Sequence, residues 1–184
     1  MCHSLLQDPR FFLLLEQIDA DYAAQACLTP CACGGVWHSA PYRRKPRGGP
    51  RAWQEREHRR SSWCCQRCRR RCTPRSVLYL GRRVYLGAVL VLGSALRGTL
   101  SGSGLRALVA ELGVPRATLD RWRVWWREVF PQTAFWQERR GGFLPPLVVL
   151  PADLLARLRA DDPGQRLLLA LRWLAPLSTV SDGR

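Results

Sequence analysis

Apolar residues recur at intervals of three or four in several separate stretches, and this spacing predicts a mainly helical chain. The first such stretch lies within residues 1–26, where Asp8 followed by Pro9 is typical of a helix N-cap and first turn. Its apolar positions are Phe11, Phe12, Leu15, Ile18 and Tyr22. We expect this face to pack on the rest of the protein.

Two further helical regions follow from the same pattern. The uncharged run from Val84 to Leu96 is shorter than the about 20 residues that a membrane-spanning helix needs, so it predicts a buried core helix. In the tail, 151–158 and 165–174 predict two more helices, separated by 161–164. The tail is expected either to close the core or to form a dimer contact.

Residues 105–130 have the pattern of a helix-turn-helix. Gly113 is placed to end one amphipathic helix, and Pro115 fits the first turn of the next. The predicted inward residues are Leu105, Leu108, Val109 and Leu112, then Leu119, Trp122, Trp126 and Val129, while Arg116, Ala117, Asp120 and Arg121 point outward. The candidate DNA contacts are Arg116, Thr118, Arg121 and Arg123. The same pattern also occurs in all-α domains that bind no DNA.

A different pattern occupies 27–75, where helical periodicity gives way to cysteines and glycines. Cys31-x-Cys33 precedes two glycines, and Cys65-x-x-Cys68 follows later. Two short-spaced thiol pairs are what a tetrahedral Zn²⁺ site requires, so the sequence predicts a zinc ribbon with these four ligands. Residues 36–42 read as one of its strands.

Other cysteines leave the ligand set open, since Cys27, His38, Cys64 and Cys72 lie close enough in sequence to replace a ligand. Cys2 falls in a terminus that is expected to be frayed. Disulfides are the competing use of these thiols. The short apolar run near the N-terminus continues into acidic residues, unlike an export signal, so we expect a reducing, cytoplasmic compartment in which clustered cysteines hold metal.

The charge of the chain points to a polyanionic partner. The net charge is +15, and residues 43–75 contain 13 basic residues against only two acidic ones. We expect 43–51 to form an extended loop that follows a nucleic-acid backbone, and its candidate contacts are Arg43, Arg44, Lys45 and Arg47. The 28 Arg against one Lys fit a GC-rich genome, so their clustering is more informative than their identity.

The order of these parts resembles the N-terminal DNA-binding region of bacterial insertion-sequence transposases. The resemblance covers about 27–130 and rests on the two cysteine pairs, on Cys68-Arg69-Arg70-Arg71-Cys72-Thr73-Pro74, and on 112–122. It implies that Cys65 and Cys68 bind metal and that Arg116 and Arg121 lie on the helix that reads element ends. The chain departs from the pattern in its shortened first cysteine pair and in Val109, where Ala is common.

The sequence therefore predicts a mainly α fold in which a small zinc-ribbon β element is followed by a helix-turn-helix domain. Its segments are an N-terminal helix (1–26), a zinc ribbon with a basic insert (27–75), a helical domain (76–130) and a C-terminal helical tail (131–184). We expect a nucleoid-associated protein that binds Zn²⁺ and double-stranded DNA, not a membrane. A second copy of the chain or a transposase or recombinase is a further candidate partner, and a regulator or a transposase remnant has the same features.

The sequence leaves two other classes of function open, an enzyme and a ribbon that binds RNA or a protein. No catalytic constellation is found: His3, His38 and His58 are scattered, no His-x-Glu accompanies the cysteines as in a zinc deaminase, and few acids follow Glu128. Those acids are Glu138, Asp153, Asp161, Asp162 and Asp182. A ribbon that binds RNA or a protein is the second alternative. RNA binding would place Trp37, Trp53 and Trp63 on an exposed surface for base stacking.

Overall fold

A computed structural model describes residues 4–81, 84–100 and 102–179 of the chain. Within these ranges the protein is mainly helical, with eight α-helices and two small antiparallel sheets, so the predicted fold class is confirmed at that level. Cys2, His3 and Asp182 lie outside the described ranges. The helices are α1 (Pro9–Leu28), α2 (Arg51–Gln54), α3 (Gly87–Thr99), α4 (Gly102–Leu112), α5 (Arg116–Val124), α6 (Ala134–Arg139), α7 (Ala152–Arg157) and α8 (Pro163–Leu174).

Helix α1 begins and ends where local chemistry dictates. The Asp8 side chain caps it by accepting a hydrogen bond from the Arg10 amide at 2.9 Å, and Pro9 occupies the first helical position, as predicted. The helix stops at Leu28 because Thr29 is extended and Pro30 cannot continue it. The predicted inward face is confirmed, with Phe11, Phe12, Leu15 and Ile18 all buried.

The five strands are short and form two sheets. Strands β1 (Trp37–Ser39), β4 (Trp63–Cys65) and β5 (Arg71–Cys72) form one, in the order β1-β4-β5, and β2 (Tyr42–Arg44) pairs with β3 (His58–Arg60) in the other. The registers pair Trp37 with Cys65 and Arg44 with His58. The strand predicted over 36–42 forms only at Trp37–Ser39, and Tyr42 already begins β2 of the other sheet. The strand ends at 40–41, because Pro41 lacks the backbone N–H donor that a continuous strand needs.

Helix α3 lies at the centre of the helical body, in contact with α4, α5, α7 and α8. Its first two turns, 87–94, are buried, as the uncharged run predicted. The helix begins at Gly87 and not at Val84. Residues 84–86 are held extended because the Arg47 amide donates to the Val84 carbonyl at 2.8 Å and the Leu86 amide donates to the Arg47 carbonyl at 3.1 Å.

Helices α4 and α5 bury most of the face that the spacing predicted. Leu105, Leu108 and Leu112 are buried on α4, Val109 is half-buried, and Gly113 ends the helix with φ of +59°. Pro115 is the N-cap of α5 and not its first helical residue. On α5 the buried residues are Thr118, Leu119 and Trp122, followed by Trp126 in the next turn.

The inward prediction for Val129 was wrong. Residues 125–129 form one π-helical turn after α5, and 130–132 form a 3₁₀ turn. A π turn adds a residue to the repeat, which rotates the following side chains away from the 3.6-residue spacing. Val129 is therefore 50% exposed, while Phe130 is fully buried and lies 4.8 Å from the Trp126 ring, centroid to centroid.

The C-terminal tail completes the core. Helices α7 and α8 form as predicted, and α8 buries Leu167, Leu171 and Leu174. Helix α6 and the aromatic contacts around Phe130 were not predicted. Among the described residues, one hydrophobic cluster runs from Leu6 to Ala175, so the predicted N-terminal helix, helical domain and tail share a single core.

Candidate metal centre

Four cysteines converge at the end of the three-stranded sheet. Their Sγ atoms all lie within 4.8 Å of one another, with 3.6 Å between Cys31 and Cys68, 3.6 Å between Cys31 and Cys33, and 3.4 Å between Cys33 and Cys65. A tetrahedral ion with about 2.3 Å bonds to sulfur needs sulfurs about 3.8 Å apart. The predicted quartet is thus brought together in a geometry that could hold a metal ion.

Two tight turns present these thiols. In the first, the Gly34 amide donates to the Cys31 carbonyl at 2.8 Å, and Gly34 has φ of +73°. Gly35 allows the second turn to approach, because a Cβ there would lie 2.6 Å from the Cys65 Sγ and 2.8 Å from the Arg67 Cβ. The second turn leaves β4 and is closed when the Arg69 amide donates to the Cys65 carbonyl at 3.0 Å.

Backbone amides and neighbouring thiols set the ionisation of the cluster. The backbone N–H of Cys68, against the opposing effect of burial, is the main group that lowers the pKa of Cys65 to about 6. The N–H of Gly35 lowers the pKa of Cys33, but the thiols of Cys68 and Cys65 outweigh it and raise that pKa to about 12. Crowded thiols cannot all ionise without a cation, whereas a divalent metal favours the thiolate at each ligand.

The remaining candidate ligands lie outside this group. The Cys27 thiol donates to the Ala24 carbonyl at 3.0 Å, and the His38 ring contacts the Gln66 side-chain oxygen at 3.3 Å. The Cys64 thiol is directed to the Arg69 carbonyl at 3.7 Å. Among the described residues, the close group contains neither these three nor Cys72.

The basic segment is not the free extended loop that the sequence predicted. Arg43 and Arg44 lie in β2, and Pro46, Gly48 and Pro50 are buried. Gly48 packs so closely on α3 that a Cβ would lie 2.7 Å from Val89. Pro and Gly in sequence are typical of a loop, but here the missing Cβ of glycine allows close approach and the buried prolines pack the segment against the core.

The four candidate contacts in this segment therefore differ in availability. The Arg43 Nε lies 3.2 Å from the Glu57 carboxylate, and the Arg44 guanidinium lies 4.8 Å above the Tyr79 ring centroid. Lys45 and Arg47 are exposed, and neither side chain makes a hydrogen bond or ion pair with any residue in the described ranges.

On α5 the predicted contacts also separate. Arg121 and Arg123 are exposed, and Arg116 is 70% exposed with its Nε 3.8 Å from Asp120. Thr118, a predicted DNA contact, is only 6% exposed, because it lies one turn before Trp122 on the inner face. Its hydroxyl accepts a hydrogen bond from the Arg121 Nη2 at 2.8 Å, so Thr118 positions an exposed arginine.

Sequence reasoning missed several polar residues. Arg67 donates to the Cys33 carbonyl at 3.1 Å and thereby links the two thiol turns. Asp19 and Arg60 are buried together, with 3.9 Å between the Arg60 Nη1 and the Asp19 Oδ2, and Asp19 also accepts hydrogen bonds from the Ser76 hydroxyl and the Val77 amide. Burial raises the pKa of Asp19 despite these partners. The only signal in the sequence was a carboxylate on the apolar face of α1.

The three tryptophans of 27–75 bear on the RNA-binding alternative. Trp53 is 2% exposed and lies 5.2 Å from Phe12, centroid to centroid. Trp37 and Trp63 are half-buried, and their indole N–H groups donate to backbone carbonyls of Thr29 and Ala23. This arrangement is unlike an open platform for base stacking.

Comparisons with protein-family models, with curated proteins and with solved structures give no match to this chain. Within the described ranges, every helix is too short or too polar to span a bilayer.

Proposed function

We propose that this chain is a zinc-containing protein that binds double-stranded DNA. The observation that carries the proposal is the excess of exposed arginine that has no carboxylate partner. On the turn beside the thiols, Arg69, Arg70 and Arg71 are exposed and make no ion pair with any described residue. Unpaired, clustered guanidinium groups are the electrostatic footprint of a protein that contacts phosphates.

The donor set supports zinc as the metal. Four thiolates suit Zn²⁺ or an iron–sulfur cluster rather than a hard cation. The sulfur separations match one ion in a tetrahedral site, and backbone N–H groups directed at Cys31, Cys33 and Cys65 stabilise thiolates. When bound, Zn²⁺ would neutralise the thiolates and hold the two turns together. The DNA contacts would come from the protein's own side chains.

The basic segment and α5 support one continuous binding surface. The backbone of Arg47 pairs with 84–86, and the Tyr85 ring between those pairing positions lies 5.0 Å from the Trp122 ring in an edge-to-face contact. The backbone of Arg47 therefore lies beside Tyr85, whose ring contacts Trp122 of α5, and Lys45 lies two residues before Arg47 in the same segment. We infer that these residues contact the phosphate backbone while Arg121 and Arg123 lie on the helix that enters the groove.

This arrangement favours a zinc ribbon followed by a helix-turn-helix, as in the DNA-binding region of insertion-sequence transposases. On that interpretation the protein is a DNA-binding accessory of a mobile element or a regulator. Arg116 is a weaker candidate for base reading than Arg121, because its guanidinium already forms an ion pair with the Asp120 carboxylate. Thr118 acts through Arg121.

The experiment is a fluorescence-anisotropy titration of the zinc-loaded chain against labelled duplex DNA at several salt concentrations. We expect the logarithm of the affinity to fall with the logarithm of salt by about 0.9 for each neutralised phosphate. The double variant Lys45→Ala with Arg47→Ala should reduce that slope by about 2. The matched control, Arg157→Ala with Arg159→Ala, removes the same charge from the exposed α7 end and should leave the slope nearly unchanged.

A slope that both double variants reduce equally would show that binding follows net charge and not this surface. Tighter binding to single-stranded RNA of the same length would instead favour the RNA-binding alternative. Either result would overturn the proposal.

A further inference from the structure

A cleft of about 480 Å³ lies where the C-terminal end of α3 meets α4 and the start of α5. Small-molecule sites commonly occupy roughly 300–1,000 Å³ and combine apolar walls with a few polar groups. Here Leu100, Leu105 and Val109 supply apolar surface. Leu105 also belongs to the core, so this wall is fixed by the packing of the helices.

Three arginines line the same cleft, and one nearby carboxylate serves two of them. The Arg97 Nη2 lies 2.9 Å from the Asp120 Oδ1, and the Arg116 Nε lies 3.8 Å from the Asp120 Oδ2. Arg106 is exposed and makes no hydrogen bond or ion pair with any residue in the described part of the chain. Two of the three guanidinium groups share the Asp120 carboxylate and the third has none, so the cleft keeps excess positive charge.

We propose that this cleft binds a small organic anion, a carboxylate carried on an apolar body. Guanidinium groups bind carboxylates through paired N–H donors, and Arg106 and Arg116 are the groups left to do so. The apolar body would cover Leu100 and Val109. Arg97 is 14% exposed and stays bound to Asp120, so it holds α3 and α5 together and frames the anion site. This inference does not depend on DNA binding.

Calorimetric titration of the zinc-loaded chain with 2-naphthoate tests the proposal. We expect one molecule bound per chain, with affinity about tenfold above that of inorganic phosphate, which lacks the apolar body, and of 2-naphthalenemethanol, which lacks the charge. Arg106→Glu should weaken binding by about tenfold or more. The control Arg159→Glu makes the same charge change on an exposed residue between α7 and α8 and should change the affinity by less than about twofold.

A second variant keeps the test independent of charge and of any folding defect in Arg106→Glu. Ala110→Trp fills the cleft from an exposed position on α4 and should also weaken 2-naphthoate. Equal affinities in Arg106→Glu and Arg159→Glu, or undiminished binding in Ala110→Trp, would overturn the assignment. Phosphate that binds as tightly as 2-naphthoate would overturn the apolar part of it.

Discussion

The cysteine-bearing end and the helical body of this protein are stabilised in different ways. Among the described residues, neither 29–40 nor 61–74 contributes a side chain to the hydrophobic cluster, and the three strands there are two or three residues long. The helical body has a buried central helix and aromatic side chains packed on both sides of it. Sheets this small are marginal in water, whereas an apolar core supports itself.

This difference in stabilisation is accompanied by a difference in composition between the two regions. The cysteine-bearing end uses Gly, Cys and Arg, which form turns, ligands and surface but little core. The helical body uses Leu, Val and aromatic residues at helical spacing. The division does not follow the predicted boundary at 75, because Trp53 and His58, within the predicted ribbon, pack against α1 residues. The basic insert belongs structurally to the helical body.

The largest effect should come from removing a metal ligand. Structural zinc sites contribute about 10–16 kcal/mol of binding free energy that is also folding free energy. Cys65→Ser should therefore unfold the thiol turns and leave α3 protected, as should a chelator. Hydrogen exchange of 63–72 compared with 87–94 measures this. Cys64→Ser is the control, since the neighbouring Cys64 lies outside the thiol group.

Identical exchange in Cys64→Ser and Cys65→Ser, or purified protein that holds no zinc, would contradict this account of the cysteine-bearing end.

A core substitution should destabilise the helical body and leave the cysteine-bearing end intact. Phe130 is fully buried among aromatic rings, so Phe130→Ala should lower the free energy of unfolding of the helical body by about 4 kcal/mol. Val129→Ala, at the exposed neighbouring position, should change it by less than about 0.5 kcal/mol. Urea unfolding followed by circular dichroism measures both. Equal losses would mean that the π turn does not set the register.

The metal centre and the turn at 125–129 also show how much of the structure the sequence could predict. The N-cap at Asp8 and the spacing within each thiol pair are local features that are visible in sequence, and both are present in the structure. The two pairs are brought together across 32 residues between Cys33 and Cys65, which only the ligand requirement of a single ion predicted. Val129 was misplaced because the π turn at 125–129 breaks the 3.6-residue repeat on which the prediction depended. Nothing in the residue types there signals a π turn.

Contacts between segments distant in sequence were also not predicted. Segment 43–51 has no apolar periodicity, yet its backbone pairs with 84–86, Gly48 packs against Val89 of α3, and Gly49 lies against Phe12 and Leu86. Such contacts depend on tertiary fit between segments distant in sequence, which no local pattern records. The burial of Thr118 was also not predicted, since a threonine methyl is apolar enough for an inner face while its residue type is common on surfaces.

The Asp19 network connects α1 to β3 and to 76–77, which lie on either side of segment 61–74 of the cysteine-bearing end. Asp19→Asn removes the charge that faces buried Arg60, and breaking a buried pair in this way costs about 3 kcal/mol. Asp21→Asn, two residues along on the exposed side of α1, should cost less than about 0.5 kcal/mol. Thermal unfolding of both variants measures the difference. Equal midpoints would mean that the network contributes nothing to holding α1 against β3 and 76–77.

The smallest effect concerns the exposed edge of the helical body, and it rests on the proposed DNA binding. The Thr118 hydroxyl is the acceptor that orients the Arg121 guanidinium, and an arginine aligned on guanine contributes about 1–3 kcal/mol of discrimination between bases. Thr118→Val keeps the buried volume and removes the acceptor, so stability should change little. Arg121 keeps its charge but loses its orientation.

We therefore expect Thr118→Val to lose part of the sequence preference, about 1 kcal/mol, while affinity for random duplexes and its salt dependence stay unchanged. Arg121→Ala should lose the whole preference and a little of the random-duplex affinity. Selection from random duplexes followed by competition at fixed salt measures both. If Thr118→Val retains full preference while Arg121→Ala loses it, Arg121 is oriented by the DNA and not by the protein. If neither variant changes the preference, α5 does not read sequence, and the two helices serve only the core on which they pack.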